Sequence, residues 1–533
     1  MRRFLALLSV TFVLTALVVA PDASAQDKPR RGGVLTAFIN TDPGRLDFQT
    51  ESGGQLVWAT AGIFSGLLQH DPDDPTAIIG DLAENWTVST DGKVYTFRLR
   101  SGVKWHDGVP FTASDVKAGF DRILNPAFRS PRCGASLKPI VAGVDVIDPA
   151  TVRFQLKFPA TTFVTAMSSV WCRVPAKHIL EKYGDMMRPE ALIGTGPFKL
   201  KQYVRGNLIE LERNPLYFDP ALPYLDGVKT FILKDAAAQL TAAKTGRIML
   251  SPVWPLLTKS QAEELKAARG DEVEISKVSI NIIATVQMNL SKAPFNNPDI
   301  RRAVNLAIDR QELVAKGLDG AAVPCALLNP ELSGEVALPL DEVRKMPGCR
   351  QPKDADIAEA ARLVAKHYPQ GVEFNASVRA WGDYVDRAQL VLAQLRRIGL
   401  RGKLQSLESA VGWANYAKGE FEFIATQDHG PESANPADIF SLLFSPQGGR
   451  NYTKWSDARA TEFIDAGLRE GSADKRKKVY WELQRYLLTL ESPPLVVVGW
   501  PQGWFFKDKR VRNHRYPPSF YDDTTYTKVW LAQ

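Results

Sequence analysis

The run from Leu82 to Val116, LAENWTVSTDGKVYTFRLRSGVKWHDGVPFTASDV, leaves the chain few local choices. Trp86 and Val88 alternate with polar residues, Asp91-Gly92 supplies a turn, and Tyr95, Phe97 and Leu99 alternate on the return. A period of two on both sides of an Asp-Gly pair specifies a β-hairpin. Thr112 with Asp115 three residues later reads as a capping-box start, and Val116, Phe120, Ile123 and Leu124 then recur at helical spacing. Between hairpin and helix lies Trp105-His106-Asp107-Gly108, an imidazole beside a carboxylate. A His oriented by an Asp is half of an acid–base site. Its place before a glycine and a capped helix favours the structural reading, a turn in which Asp107 bonds backbone N–H groups.

The same alternation of strand and helix patterns continues along the chain. Gly33–Asn40 and Val152–Phe158 read as strands, and residues 194–218 as a hairpin leading into a turn. Residues 298–318, 354–366, 385–398, 457–470 and 474–490 carry amphipathic helical spacing; Lys403–Leu407 and Leu495–Val498 read as strands. No repeat of fixed period and no low-complexity linker interrupts them. The expectation is an α/β architecture, and 533 residues are too many for one core, so two or three lobes are expected.

Arg2 and Arg3, the apolar run Phe4–Ala20 and Ala23-Ser24-Ala25 have the form of a cleavable export signal, with cleavage expected after Ala25. The first cysteine is Cys133, so no lipid-modified amino-terminal cysteine is expected, and no later stretch is apolar for the ~18 residues of a membrane span. Four cysteines, Cys133, Cys172, Cys325 and Cys349, suit an oxidising compartment. Of three possible pairings, 133–172 with 325–349 keeps each bridge local. There is no C-x-x-C. A formal charge of +7 with acids and bases interspersed points to no polyanionic partner, and export argues against nucleic acid.

Several stretches resemble, in order, the periplasmic solute-binding proteins of ABC importers, in the family of dipeptide-, oligopeptide-, opine- and nickel-binding proteins. They are the Leu82–Val116 run, GTGPFKLKQY from Gly194, RNPLYF from Arg213, NNPDIRRAVNLAIDRQELV from Asn296, and the Arg476–Leu490 helix before Pro493-Pro494-Leu495. The resemblance implies a type II periplasmic-binding fold of two lobes joined by a hinge. Lobe I would comprise 33–278 and 496–533, with 59–190 as an additional subdomain; lobe II would be 279–495. It further implies a monomer that takes a peptide-like or other small polar solute between its lobes and delivers it to membrane permease subunits. An opine, an oligosaccharide or a metal chelate are the alternative ligands.

Within that resemblance, Asp428 in ATQDHGPESANPADIFSLLF matches the place of an aspartate that pairs with the ligand's ammonium, although the insertion GPESA departs from the family's spacing. Arg379 lies within one residue of the place of an arginine for the ligand carboxylate, a role suited to its bidentate fork. Trp381, Trp413, Trp500 and Trp504 are candidate cleft residues. His429 beside Asp428 raises the metal-chelate alternative, but the six histidines are scattered without ligand spacing, so no metal site and no cofactor are expected. A secreted hydrolase would need a nucleophile motif, and neither G-x-S-x-G nor H-E-x-x-H occurs.

Overall fold

The computed structural model describes residues 28–74, 77–252, 257–431, 435–516 and 525–532. The expected export signal, residues 1–25, lies outside them. A seven-stranded mixed sheet runs through the middle of the molecule. Its order is Val273–Ser279, Leu495–Asp508, Ile283–Met288, Phe423–His429, Val372–Arg379 and Leu400–Leu407, with Ala322–Pro324 also paired to Leu495–Asp508. Two four-stranded sheets lie to one side. One has the order Val34–Ile39, Gly227–Ile232, Leu208–Arg213, Phe198–Val204; the other Ala83–Val88, Val94–Leu99, Thr151–Leu156, Val141–Asp148.

The strand Leu495–Asp508 is where the two halves of the molecule meet. Its first half pairs with Ile283–Met288 (Gln287 opposite Leu495, Ala284 opposite Gly499), and its second half pairs with Val273–Ser279 (Ser279 opposite Gln502, Val273 opposite Asp508). The apolar cores change at the same place. Ile280, Ile282 and Phe505 belong to a core that includes Leu35 and Leu250, whereas Ile283, Ala284 and Trp500 pack in cores built from residues 283–500. Leu495–Val498 reads as a short strand because Gly499, Pro501 and Gly503 follow. The structure extends it to fourteen residues. Pro501, which has no N–H to give, sits where the strand exchanges one pairing partner for another, so the ladder tolerates it there.

The segment 298–318 also differs from its reading as one helix. It forms two, Pro298–Ala307 and Arg310–Gly317. Asp309 breaks the run by accepting hydrogen bonds from the N–H groups of Gln311 and Glu312, at 3.0 and 3.1 Å, as the cap of the second helix. Arg310 then turns inward to donate to the carbonyls of Asn305, Gly348 and Val497. Local capping and a buried guanidinium outweigh an apolar periodicity that runs straight through.

The opening hairpin and helix form as Ala83–Val88, Val94–Leu99 and Ala113–Leu124, with Asp115 accepting from the Thr112 N–H at 2.9 Å in a capping box. His106 and Asp107 do not address each other. His106 Nδ1 accepts from the Gly194 N–H at 3.2 Å and its Nε2 faces the Gly196 carbonyl at 3.3 Å, which places the proton on Nε2. Burial lowers its pKa to about 4, so the ring is neutral and clasps the Gly194–Gly196 turn. Asp107 instead pairs with His178 at 2.7 Å and accepts from the Val109 N–H. The stretch is architecture.

Cys133 is bonded to Cys172 and Cys325 to Cys349, with Cα–Cα distances of 5.2 and 6.0 Å. No described helix is long and apolar enough to cross a membrane.

Candidate solute site between the two cores

A cavity of about 220 Å3 opens where the two groups of cores face each other. One wall comes from strand ends and helices of the 283–500 region. Arg379 ends the strand Val372–Arg379 and is 5% exposed. Its Nε donates to Gln427 Oε1 at 2.9 Å and its Nη1 to Ser409 Oγ at 2.6 Å. Its guanidinium carbon lies 4.1 Å from the centroid of the Trp413 ring, and that of Arg450 lies 3.9 Å from the same centroid. Arg450 also donates to the Tyr452 hydroxyl at 2.5 Å. Gly412 makes room for this arrangement, since a Cβ there would stand 2.5 Å from Arg379 Cγ.

Asp428 lines the same wall with its charge already engaged. Arg387 Nη1 and Nη2 donate to its two oxygens at 2.9 and 2.8 Å, and both side chains are nearly fully buried. Arg387 reaches Asp383 as well, at 3.2 Å. Such a two-pronged ion pair is stiff as well as strong. The Asp428 N–H donates to the Tyr384 hydroxyl, and the Arg387 guanidinium lies over the Tyr384 ring.

His429 turns toward the sheet, where its Nε2 lies 2.9 Å from Gln287 Nε2 and 3.1 Å from Thr285 Oγ1. Nδ1 is buried and has no hydrogen-bond partner among the described residues. Burial, and then the neighbouring Arg450 and Arg379, hold its pKa well below the ordinary imidazole value. A ring held neutral in this way brings no charge to the cavity.

The opposite wall is made of Ser52 and Gly53, the helix Gly54–Thr60 that follows them with Gln55 and Trp58, and Arg132. Arg132 donates to the Ser52 carbonyl from Nε and Nη2, at 3.2 and 2.7 Å, and lies 5.5 Å from the Trp171 ring centroid. Cys133 and Cys172, the chain neighbours of these two residues, are the bonded pair. Glu51 shapes the turn into that helix by accepting from the N–H groups of Ser52 and Gly53.

Of the sequence candidates, the structure brings Arg379, Trp381, Trp413, Asp428 and His429 together at the cavity. Trp500 is elsewhere, buried in the 283–500 core with its Nε1 donating to the Ala326 carbonyl at 2.8 Å. Trp504 pairs with Lys277 across the central sheet, also away from the cavity. Arg387, Arg450, Arg132, Tyr384 and Trp58 were not singled out by the sequence. Arg387 had a signal: it falls on the stripe of Tyr384, Ala388, Val391 and Leu395 that its helix buries, and a cation on a buried stripe needs a partner.

Residues 77–451 match the model of bacterial extracellular solute-binding proteins, family 5. The chain belongs to that family. Relatives of this family 5 protein include the glutathione-binding protein GsiB of Salmonella typhi, 29% identical over 81% of this chain and 83% of GsiB. Another is the probable deoxycholate-binding periplasmic protein YgiS of Escherichia coli K12, 25% identical over 92% of each. Among solved structures, Helicobacter pylori DppA with the peptide STSA superposes with a TM-score of 0.79 at 24% identity, covering 95% of this chain and 99% of DppA. AgaA from A. tumefaciens R10 with agropinic acid gives 0.80 at 22%, covering 94% and 99%. This family 5 protein therefore has the type II periplasmic-binding fold, and its role is that of the substrate-binding protein of an ABC transporter.

Proposed function

We propose that the protein is exported by its first 25 residues and, as a monomer, captures one small polar solute of peptide-like size in the Trp413 cavity. It then presents the closed form to the permease subunits of an importer. The supporting observation is the make-up of the cavity: its two walls come from cores that are joined through Ser279–Ile283 and Trp500–Gln502. In this reading lobe I, expected as 33–278 with 496–533 and including the subdomain 59–190, and lobe II, expected as 279–495, exchange a few residues later, at 282–283 and 500–505, where the apolar cores change. A solute that touches both walls favours the closed arrangement by its differential contacts, and the two crossings absorb the motion. Asp428 acts through Arg387 as part of the floor, with Arg379, Trp381, Trp413 and His429 around it. That relatives are named for glutathione and deoxycholate supports the size of the solute and leaves its identity open.

Native mass spectrometry of the purified protein, followed by calorimetry with the solute it reveals, tests the proposal. Saturable 1:1 binding is expected, with a smaller radius of gyration in the bound state. Multiple-turnover chemistry on peptide, ester or glycoside panels, or the absence of any bound or binding small molecule, would overturn it.

A further inference from the structure

The cations of the cavity are unequally served. Arg387 is matched by two carboxylates, Asp428 and Asp383. Arg379 and Arg450 meet neutral partners, Gln427, Ser409 and Tyr452, and neither forms an ion pair among the described residues. Both guanidinium groups are anchored on the Trp413 ring, so they are no further apart than the sum of two short stacking distances. Arg379 is buried and Arg450 half-buried; a guanidinium withdrawn from water without a counter-charge is costly, and a ligand acid is the natural way to supply one. The carboxylate that would receive a ligand ammonium, Asp428, has both oxygens occupied by the fork of Arg387. The nearby His429 is neutral and brings no negative charge either.

We infer that the solute is an anion, with an acidic group held by Arg379 and Arg450 beside Trp413, and that the site makes no demand for a free ammonium. This rests on the receptor reading above and names its substrate class. Glu51 and Asp383 stand behind the walls, bonded to the Ser52–Gly53 backbone and to Arg387 respectively, so neither neutralises the pair at Trp413.

Ligand-free protein titrated calorimetrically with three short probes decides the matter: N-acetyl-Ala-Glu (a dianion with a blocked amine), Ala-Ala (a zwitterion) and Ala-Ala-amide (a cation). N-acetyl-Ala-Glu should bind at least tenfold more tightly than Ala-Ala, with an affinity that falls as salt rises, and the amide should not bind. Arg450→Gln should lose at least tenfold for the dianion while Arg450→Lys retains part of it. Thermal unfolding of both variants separates this loss from misfolding. Ala-Ala or its amide binding as tightly as the dianion would overturn the inference and leave the receptor reading standing. If none of the three binds, the net charge of the solute found by native mass spectrometry decides: an acid supports the inference and a neutral or cationic solute overturns it. Finding no bound solute as well would overturn both.

Discussion

The two walls of the cavity are built by different means. On the 283–500 side, Arg379, Asp428, Tyr384 and Arg387 sit on strand ends or a helix, and their partners are on that same wall. On the other side the turn into the helix Gly54–Thr60 and Arg132 are tied to each other through one backbone carbonyl, that of Ser52, and steadied by a disulfide. The first wall spends fold stability on holding charges in place before any ligand arrives, which lowers the ordering cost of binding. The second is tied through Arg132 and the Cys133–Cys172 bridge to the core of residues 35–282, so in the two-lobe reading it is the wall that travels as the molecule closes. Recognition of an anion therefore belongs to the first wall and completion of the enclosure to the second.

The largest expected effect follows from the charge held in the first wall. Arg387→Met leaves Asp428 without its cation in a buried setting and half-exposed Asp383 without its partner, and should cost about 3–5 kcal/mol of stability in urea unfolding. On the second wall Gln55→Ala removes a 3.3 Å hydrogen bond to Asn40 and should cost under ~1 kcal/mol. Equal losses from the two variants would show that the walls are not built differently after all.

Both disulfides should matter for stability, but one alone for binding. Their sequence separations, 39 and 24, correspond to about 3–4 kcal/mol each through restriction of the unfolded chain. Cys133→Ser/Cys172→Ser also frees Arg132 and Trp171, the cavity residue and the ring it stacks on, and should weaken N-acetyl-Ala-Glu severalfold. Cys325→Ser/Cys349→Ser, in a separate small core with Leu338 and Met346, should lower the melting temperature and leave the affinity alone. A matching loss of affinity from both pairs would detach Arg132 from its disulfide.

The difference between the walls also explains what could be read from sequence. The hairpin, the Thr112-capped helix and most helices are specified locally, by alternation, turn chemistry and caps, and they form within a residue or two of their expected ends. The family-bearing motifs carried the fold class with them. Leu495–Asp508 was cut short because its Gly and Pro are tolerated only through pairings with strands some two hundred residues away, which no local pattern encodes. The same holds at the site. Arg379 and Asp428 were singled out by motif position and Trp413 as a candidate cleft ring, and all three line the cavity, but Arg450 gains its place from a ring 37 positions earlier in the chain that it meets in space. Trp500 and Trp504 misled because a tryptophan near a crossing strand can serve either a cleft or a core, and only packing distinguishes the two.

A glycine substitution probes the preassembled wall without removing a charge. Gly412→Ala places a methyl 2.5 Å from Arg379 Cγ, on a side chain pinned by Gln427, Ser409 and Trp413. Shifting it should cost about 1–3 kcal/mol of binding to the acidic probe, with a smaller change in melting temperature. Gly54→Ala on the second wall meets the Trp58 ring at 2.4 Å, a closer clash on paper. Its effect on affinity should nonetheless be the smaller one if recognition belongs to the first wall. A larger effect at Gly54 would reverse the roles assigned to the two walls.

The smallest expected effect lies outside the cavity, where the two halves touch. The Thr161 N–H and Oγ1 both donate to the Leu468 carbonyl, at 3.3 and 2.9 Å, and the Arg469 guanidinium lies 5.5 Å from the Phe158 ring beside them. Thr161 adjoins the core of residues 35–282, and Leu468 packs on the 283–500 core, so a hinge opening between the two would break this contact. Thr161→Val keeps the side-chain shape and the backbone bond but removes the hydroxyl donor, a loss of about 0.5–1.5 kcal/mol. Because the bond stabilises closure rather than folding, that loss should appear as roughly 2–10-fold weaker solute binding with the urea midpoint nearly unchanged. Solution scattering should show a more open average in the ligand-free variant. An unchanged affinity together with a lowered urea midpoint would place Thr161 in the service of its own lobe and not of the closure between the two.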